Sequence, residues 1–285
     1  MPLSIILEGR RTCLRPEGPD KQVPMASQKP RRSGNRQPEK ESRIAGFAAV
    51  SALFDRDPDR VKRLFIDERA KEDARAFTTA MSRARKPWRA VPAEELARIA
   101  GTPMHGGIVA TAHEMSVTPF NAAEAKNWNK DGRPLLLLDG IGNPHNLGAI
   151  ARTAAFFGIP RILLSSHPAQ AGLSDATYRI AEGGLEYIDF YRADDFPAAL
   201  KRLGEAYHVI GTALGDYTPL NELKRPPGKP LAILMGNEED GLPAASLKNC
   251  SEIVTIPGSG AVQSLNVAAT TAILLYAAAF GGAKP

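Results

Sequence analysis

A chain of 285 residues is long enough for two domains, and 43% apolar with 24% charged residues describes a globular protein rather than a fibrous or disordered one. Two cysteines, Cys13 and Cys250, exclude a disulfide scaffold, and the five histidines show no metal-ligand spacing, so the composition points to a reducing cytoplasm and to no metal. The formal charge of +5 resides in the first 43 residues, which hold ten Lys or Arg against five acids; the neutral remainder could meet a polyanion only through local patches.

In chain order, residues 1–42 are rich in Pro, Gly, Ser, Gln and Arg and lack any sustained period, which predicts a disordered basic tail. Such a tail is either an arm for RNA phosphates or a solubilising extension. Its first residues carry too short an apolar run for a signal peptide, and Met25 is a second candidate start of translation. From residue 44 the pattern becomes regular. Phe47, Val50 and Phe54 share one face at helical spacing, predicting a helix over 44–54. Strands are expected at 61–66, 88–91 and 107–111 and helices at 68–85 and 93–99, making a small three-layer α/β domain over 43–115. Arg83, Arg85, Lys86, Trp88 and Arg89 form its densest basic group. Two readings stand: a surface that holds phosphates and stacks a base, or a core tryptophan flanked by a solvated loop. Residues 116–132 read as a linker with room for a short helix.

Leu135 to Leu138 predict a strand buried on both faces, followed by turn formers at 139–143 and a helix from Leu147 to about Gly158 with Asn146 as its N-cap. On that helix Asn146, Ile150 and Thr153 share one side, and Gly148 and Arg152 are spaced to meet on a neighbouring one. Further strands are expected at 161–165, 185–190, 207–212, 231–235 and near 253–256, with helices at 175–183 and 195–203. This alternation predicts a mostly parallel sheet with helices on both faces, which binds ligands at its strand ends. Residues 261–282 are uncharged over a membrane-spanning length, but much of the stretch is Ala, Gly, Ser, Thr, Asn and Gln. A helix buried in the domain or between subunits, not in a membrane, is expected.

Three segments of this half go further. Asn146-x-Gly148-x-x-x-Arg152, then Gly236-x-Glu238-x-x-Gly241-Leu242, then Ile256-Pro257-x-x-Gly260-x-x-x-Ser264-Leu265-Asn266-Val267 resemble, in order and separation, the three motifs of the SpoU family of RNA ribose 2′-O-methyltransferases. The resemblance implies a SPOUT-type methyltransferase domain over 133–285 with a deep trefoil knot, S-adenosylmethionine as methyl donor, ribosomal or transfer RNA as substrate, and a homodimer. It also implies that residues 43–115 form an L30e-like RNA-binding domain, although His105-Gly106 stands where the family usually has His-Gln. Carried over residue by residue, Arg152 matches the family's essential arginine, Glu238 its motif-two glutamate, and Ser264 and Asn266 its motif-three polar pair, with Asn146 opening motif one. Gly236, Ile256 and Leu265, with Thr212 in the loop at 211–215, are implied against the cofactor. Asn143 replaces a common Asp and Gly258 a common Met; neither position carries a chemical role in the family.

The residue chemistry constrains those roles. Arginine is a poor base, so Arg152 suits stabilisation of a developing 2′-alkoxide or a grip on the adjacent phosphate. Glu238 would accept a proton or orient Arg152, while Ser264 and Asn266 would position Arg152 and the ribose. No Gly-x-Gly-x-x-Gly fingerprint supports a Rossmann cofactor site, and no phosphate-loop motif supports another nucleotide-binding enzyme. The rival is a non-catalytic RNA-binding protein that keeps the knotted fold for ribosome assembly, for which five intact polar site residues would have no use.

Overall fold

Strand β1 (Glu41–Ala45) begins inside the stretch expected to be a disordered tail. The computed structural model describes residues 40–237 and 239–280, so the tail up to residue 39 lies outside the described residues, as does Glu238. After β1 come α1 (Phe47–Arg56), β2 (Val61–Asp67), α2 (Arg75–Arg83), β3 (Trp88–Val91), α3 (Ala93–Ala100) and β4 (Ile108–His113). They build a four-stranded sheet of order β1-β4-β2-β3, antiparallel except for the β2–β3 pair. The helix expected over 44–54 starts late: Ile44 and Ala45 pair with Ala110 and Val109 of β4, and Gly46, at φ +95°, turns the chain before α1. Similarly, 68–85 is helical only from Arg75, because Asp67 accepts the Arg69 N–H at 2.9 Å and stops the chain in a separate 3₁₀ turn. Trp88 is not core. It is 42% exposed on the edge strand and donates to Ser82 Oγ, while Lys86 is spent on the Pro58 and Asp59 carbonyls and Arg89 on Glu95.

The second half contributes β5 (Val117–Pro119), α4 (Ala122–Ala125), β6 (Leu135–Asp139), α5 (Pro144–Phe156), β7 (Arg161–Ser165), α6 (Asp175–Ala181) and β8 (Asp189–Ala193). It continues with α7 (Phe196–Leu203), β9 (His208–Thr212), β10 (Thr218–Pro219), β11 (Leu231–Gly236), α8 (Ala244–Leu247), β12 (Glu252–Thr255) and α9 (Val267–Phe280). Eight strands form one all-parallel sheet, β10-β12-β9-β11-β6-β7-β8-β5. The four leucines of β6 are fully buried because the pleat sends them to two cores: Leu136 and Leu138 under α5, α6 and α9, Leu135 and Leu137 under α4 and α7. No helix among the described residues is long and apolar enough to cross a membrane.

Three expectations change here. The linker at 116–132 is part of the sheet: β5 pairs with β8, and Trp128 is buried against Tyr191. Helix α5 starts three residues earlier than expected, capped by Asn143, which accepts the His145 N–H at 2.8 Å, with Pro144 preset at the first helical position. The strand expected at 185–190 is a 3₁₀ turn over Gly184–Tyr187, with β8 starting at Asp189. The alternation over Leu185–Phe190 resembles a strand, but Gly183 and Gly184 let this segment pack closely against α1 and α5 instead.

The two sheets are joined by polar groups. Arg60 donates to Glu186 Oε2 at 2.7 Å, to the Tyr178 hydroxyl at 2.9 Å and to the His113 carbonyl at 3.1 Å. Burial raises the Glu186 carboxyl above its ordinary value although Arg60 pulls it down, and burial pushes the Tyr178 phenol up to about 12. Arg43 adds an exposed pair with Asp175, at 3.0 Å.

Candidate active site

At the carboxyl ends of the parallel strands, Asp139 of β6 and Gly236 of β11 stand side by side in register. Gly236 must be glycine: a Cβ there would stand 2.5 Å from the carbonyl of Gly241, the close approach that closes the motif-two loop. Asn237 and Gly241 exchange both backbone hydrogen bonds at 3.0 Å, and the Asn237 carboxamide oxygen accepts the N–H groups of Glu239 and Asp240. Asn237 and Gly241 thus close the motif-two loop through paired backbone hydrogen bonds. Asn237 also reaches across to donate to the Gly140 carbonyl at 2.8 Å, tying motif two to the turn before α5. From the loop after β7, Gln170 accepts the N–H groups of Gly140 and Ile141 at 3.1 and 3.2 Å and donates back to the Ile141 carbonyl.

That braced turn launches α5, which carries Asn146 and Arg152. Gly148 lets α6 lie against it, since a Cβ would come 2.7 Å from the Thr177 carbonyl oxygen. On the far side Asn266 serves as the start of α9, accepting the Ala268 N–H at 2.9 Å and donating to the Asn146 carboxamide oxygen at 3.0 Å. Motifs one and three thus meet through a direct side-chain bond. Arg152 takes another partner: its guanidinium pairs with Glu182 at 2.8 Å, and both are more than half exposed. Ser264 and Leu265 lie on the exposed loop at 257–266, with Leu265 48% exposed. The Thr212 hydroxyl donates to the Leu234 carbonyl at 3.3 Å, so the side chain is engaged within the sheet.

Sequence reasoning missed Glu182, Gln170 and the bracing role of Asn237. Asn237 sits inside a motif, but Gln170 reaches a turn 29 residues away and Glu182 reaches Arg152 from another helix, separations that no local pattern records.

A cavity of about 350 Å³ opens beside Ile256 and Pro257, walled by Leu220, Leu223 and Ala277 with Asn221 as a polar group. Its walls are part apolar and part polar, and the neighbouring loop at 257–266 is exposed. Arg225 borders the cavity, but its guanidinium is spent on the Ala277 and Ala278 carbonyls at the end of α9. Of the four residues implied against the cofactor, this cavity takes Ile256 and not Gly236, Leu265 or Thr212.

Comparison with known proteins adds the identity of the family. Residues 133–276 match the SpoU rRNA Methylase family, and residues 43–117 match a family described as RNA 2′-O ribose methyltransferase substrate binding. The chain is 35% identical over 239 residues to the 23S rRNA (guanosine-2′-O-)-methyltransferase RlmB of a Burkholderia species, covering 82% of this chain and 94% of that protein. It is 32% identical over 243 residues to the Acinetobacter baylyi protein of the same name, with the same two coverages. Among solved structures, an AdoMet-bound rRNA methyltransferase from Sinorhizobium meliloti shares the fold, with a TM-score of 0.68 at 24% identity over 86% of this chain and 88% of that one. By its motifs, its parallel sheet and these matches, the chain belongs to the SpoU rRNA methylase family and is an S-adenosylmethionine-dependent RNA ribose 2′-O-methyltransferase.

Proposed function

We propose that the substrate is a guanosine ribose of 23S rRNA, the target named for the RlmB relatives, and that the motif-one and motif-three side chains hold it. The observation that carries the site assignment is the Asn146–Asn266 bond at the strand ends, which joins two polar groups 120 residues apart. When bound, S-adenosylmethionine supplies the methyl group. Gly236, Ile256, Leu265 and the backbone at Thr212 hold it; Asn146, Ser264 and Asn266 orient the ribose. Arg152 offers its guanidinium N–H groups to the 2′-oxygen as charge develops there or to the neighbouring phosphate. Glu238 accepts the proton or orients Arg152. Mapping ribose methylation of 23S rRNA and tRNA from cells with and without the gene tests this. Loss at one 23S guanosine is expected; loss at a tRNA position would move the substrate, and no loss anywhere would favour the non-catalytic RNA-binding reading.

The same proposal covers the architecture. Residues 43–115 form an L30e-like substrate-binding domain and 133–285 the SPOUT domain, acting in the cytoplasm. Support for the trefoil knot comes from the path of the chain: it leaves β9, makes an excursion over 213–230, enters β11 beside β6, crosses to β12, and returns as α9 onto α5. Arg225 of that excursion grips the end of α9. The protein is proposed to act as a homodimer through α5 and α9, on which Phe156 is 83%, Tyr276 62% and Ile273 39% exposed. Sedimentation at micromolar concentration is expected to give a dimer, and Phe156→Glu with Tyr276→Glu a monomer. A monomeric wild-type protein would remove this part of the proposal.

A further inference from the structure

Glu182 occupies a backbone conformation that its residue type disfavours. At φ +45° and ψ +45° it is, with Arg85, one of two non-glycine residues at positive φ among the described residues. Two glycines follow, and each is pinned. A Cβ on Gly183 would stand 2.9 Å from the Ala48 carbonyl oxygen and from Ala52 Cβ of α1; one on Gly184 would stand 2.8 Å from the Cα of Arg152. The turn at 182–184 is therefore wedged between a helix of the four-stranded unit and the helix of the methyltransferase sheet, at the residue that carries the guanidinium. The carboxylate it presents lies 2.8 Å from Nη1 of Arg152. A guanidinium carries five N–H donors, more than one carboxylate oxygen engages.

We infer that Glu182 is a positioning residue for methyl transfer: it holds one end of the Arg152 guanidinium so that the remaining donors face the ribose, and α1 of the four-stranded unit sets the turn from which it does so. This rests on the reading of Arg152 as the group at the 2′-oxygen. It explains why a strained, charged residue stands where glycine would be the relaxed choice. A fixed donor stabilises developing charge without reorganising, whereas a free arginine on a helix surface samples many rotamers.

Glycine at this position separates function from stability. In the full-length protein, Glu182→Gly relieves the left-handed backbone, so its melting temperature is expected to hold or rise. Its kcat on 23S rRNA purified from cells lacking the gene, with radiolabelled S-adenosylmethionine, is expected to fall roughly 10- to 100-fold, while KM for RNA and affinity for S-adenosylmethionine stay unchanged. Glu182→Gln, which keeps an oxygen beside the guanidinium but removes the charge, is expected to recover part of the loss. Wild-type kcat in Glu182→Gly overturns the inference. So does a loss shared by KM and melting temperature, which would mark the turn as structural. Arg152→Ala is measured beside them: if it turns over normally, the reading of Arg152 has failed, and if it is inactive while Glu182→Gly is normal, only the role of Glu182 has.

Discussion

Arg152→Ala is expected to lower turnover by roughly 10²- to 10³-fold, the size of effect seen when a single preorganised donor to a developing oxyanion is removed. S-adenosylmethionine affinity is expected to stay at the wild-type value in calorimetry, because the guanidinium rests on Glu182 at the end of α6 and not in the cavity beside Ile256. Arg152→Lys should recover little. A lysine keeps the charge but cannot hold Glu182 and a ribose or phosphate oxygen in one planar fork. Stability should barely change in either variant, since the ion pair is more than half exposed on both sides and such pairs contribute about 0–1 kcal/mol. An alanine variant with wild-type kcat would show that the motif-one arginine is not at the reacting oxygen.

The largest stability effect is expected at Arg60. Its side chain is 13% exposed and its partner Glu186 only 2%, so Arg60→Ala strands a carboxylate inside the protein, at a cost of about 3–5 kcal/mol. Glu186 is already strained in this sense. Burial outweighs the pull of Arg60 and raises its carboxyl above the ordinary 4.5, and its Oε1 is buried without a hydrogen-bond partner. The pH dependence follows with a definite sign. A carboxyl whose folded value lies above its unfolded one binds more protons in the folded state, so stability is highest below the unfolded value and is lost as pH rises through the folded one. Without Arg60 the folded value rises further. The deficit of Arg60→Ala against wild type should therefore be smaller near pH 4.5 than at pH 8. Denaturant unfolding at the two pH values measures this, and Glu186→Gln in the same chain should recover part of the loss by removing the stranded charge. An equal deficit at both pH values would mean that Arg60 acts through packing alone.

These residues divide what could be read from sequence from what could not. The β6 leucines, the strand at Trp88–Val91 and the strand at Arg161–Ser165 were legible because each is a short run with a period or burial that the chain states locally. The three motifs were legible because family chemistry is written in fixed spacings, which needed no knowledge of contacts. Element boundaries were less so: Asn146 had the chemistry of an N-cap, but Asn143 followed by Pro144 had both the chemistry and the preset backbone, and took the role. The apparent linker at 116–132 became an edge strand and a buried tryptophan because β8 offered an open edge, a fact belonging to a strand 73 residues away. The site followed the same rule. Asn146, Arg152 and Asn266 could be named from sequence, but their partners could not. Asn266 joins Asn146 and Arg152 joins Glu182 only once α5, α6 and α9 are packed together, with Gly148 and Gly184 allowing the backbones to touch. Residue type and spacing determine what a side chain can do; the tertiary structure decides which other side chain lies within 3 Å of it, because packing brings together groups that the chain keeps far apart.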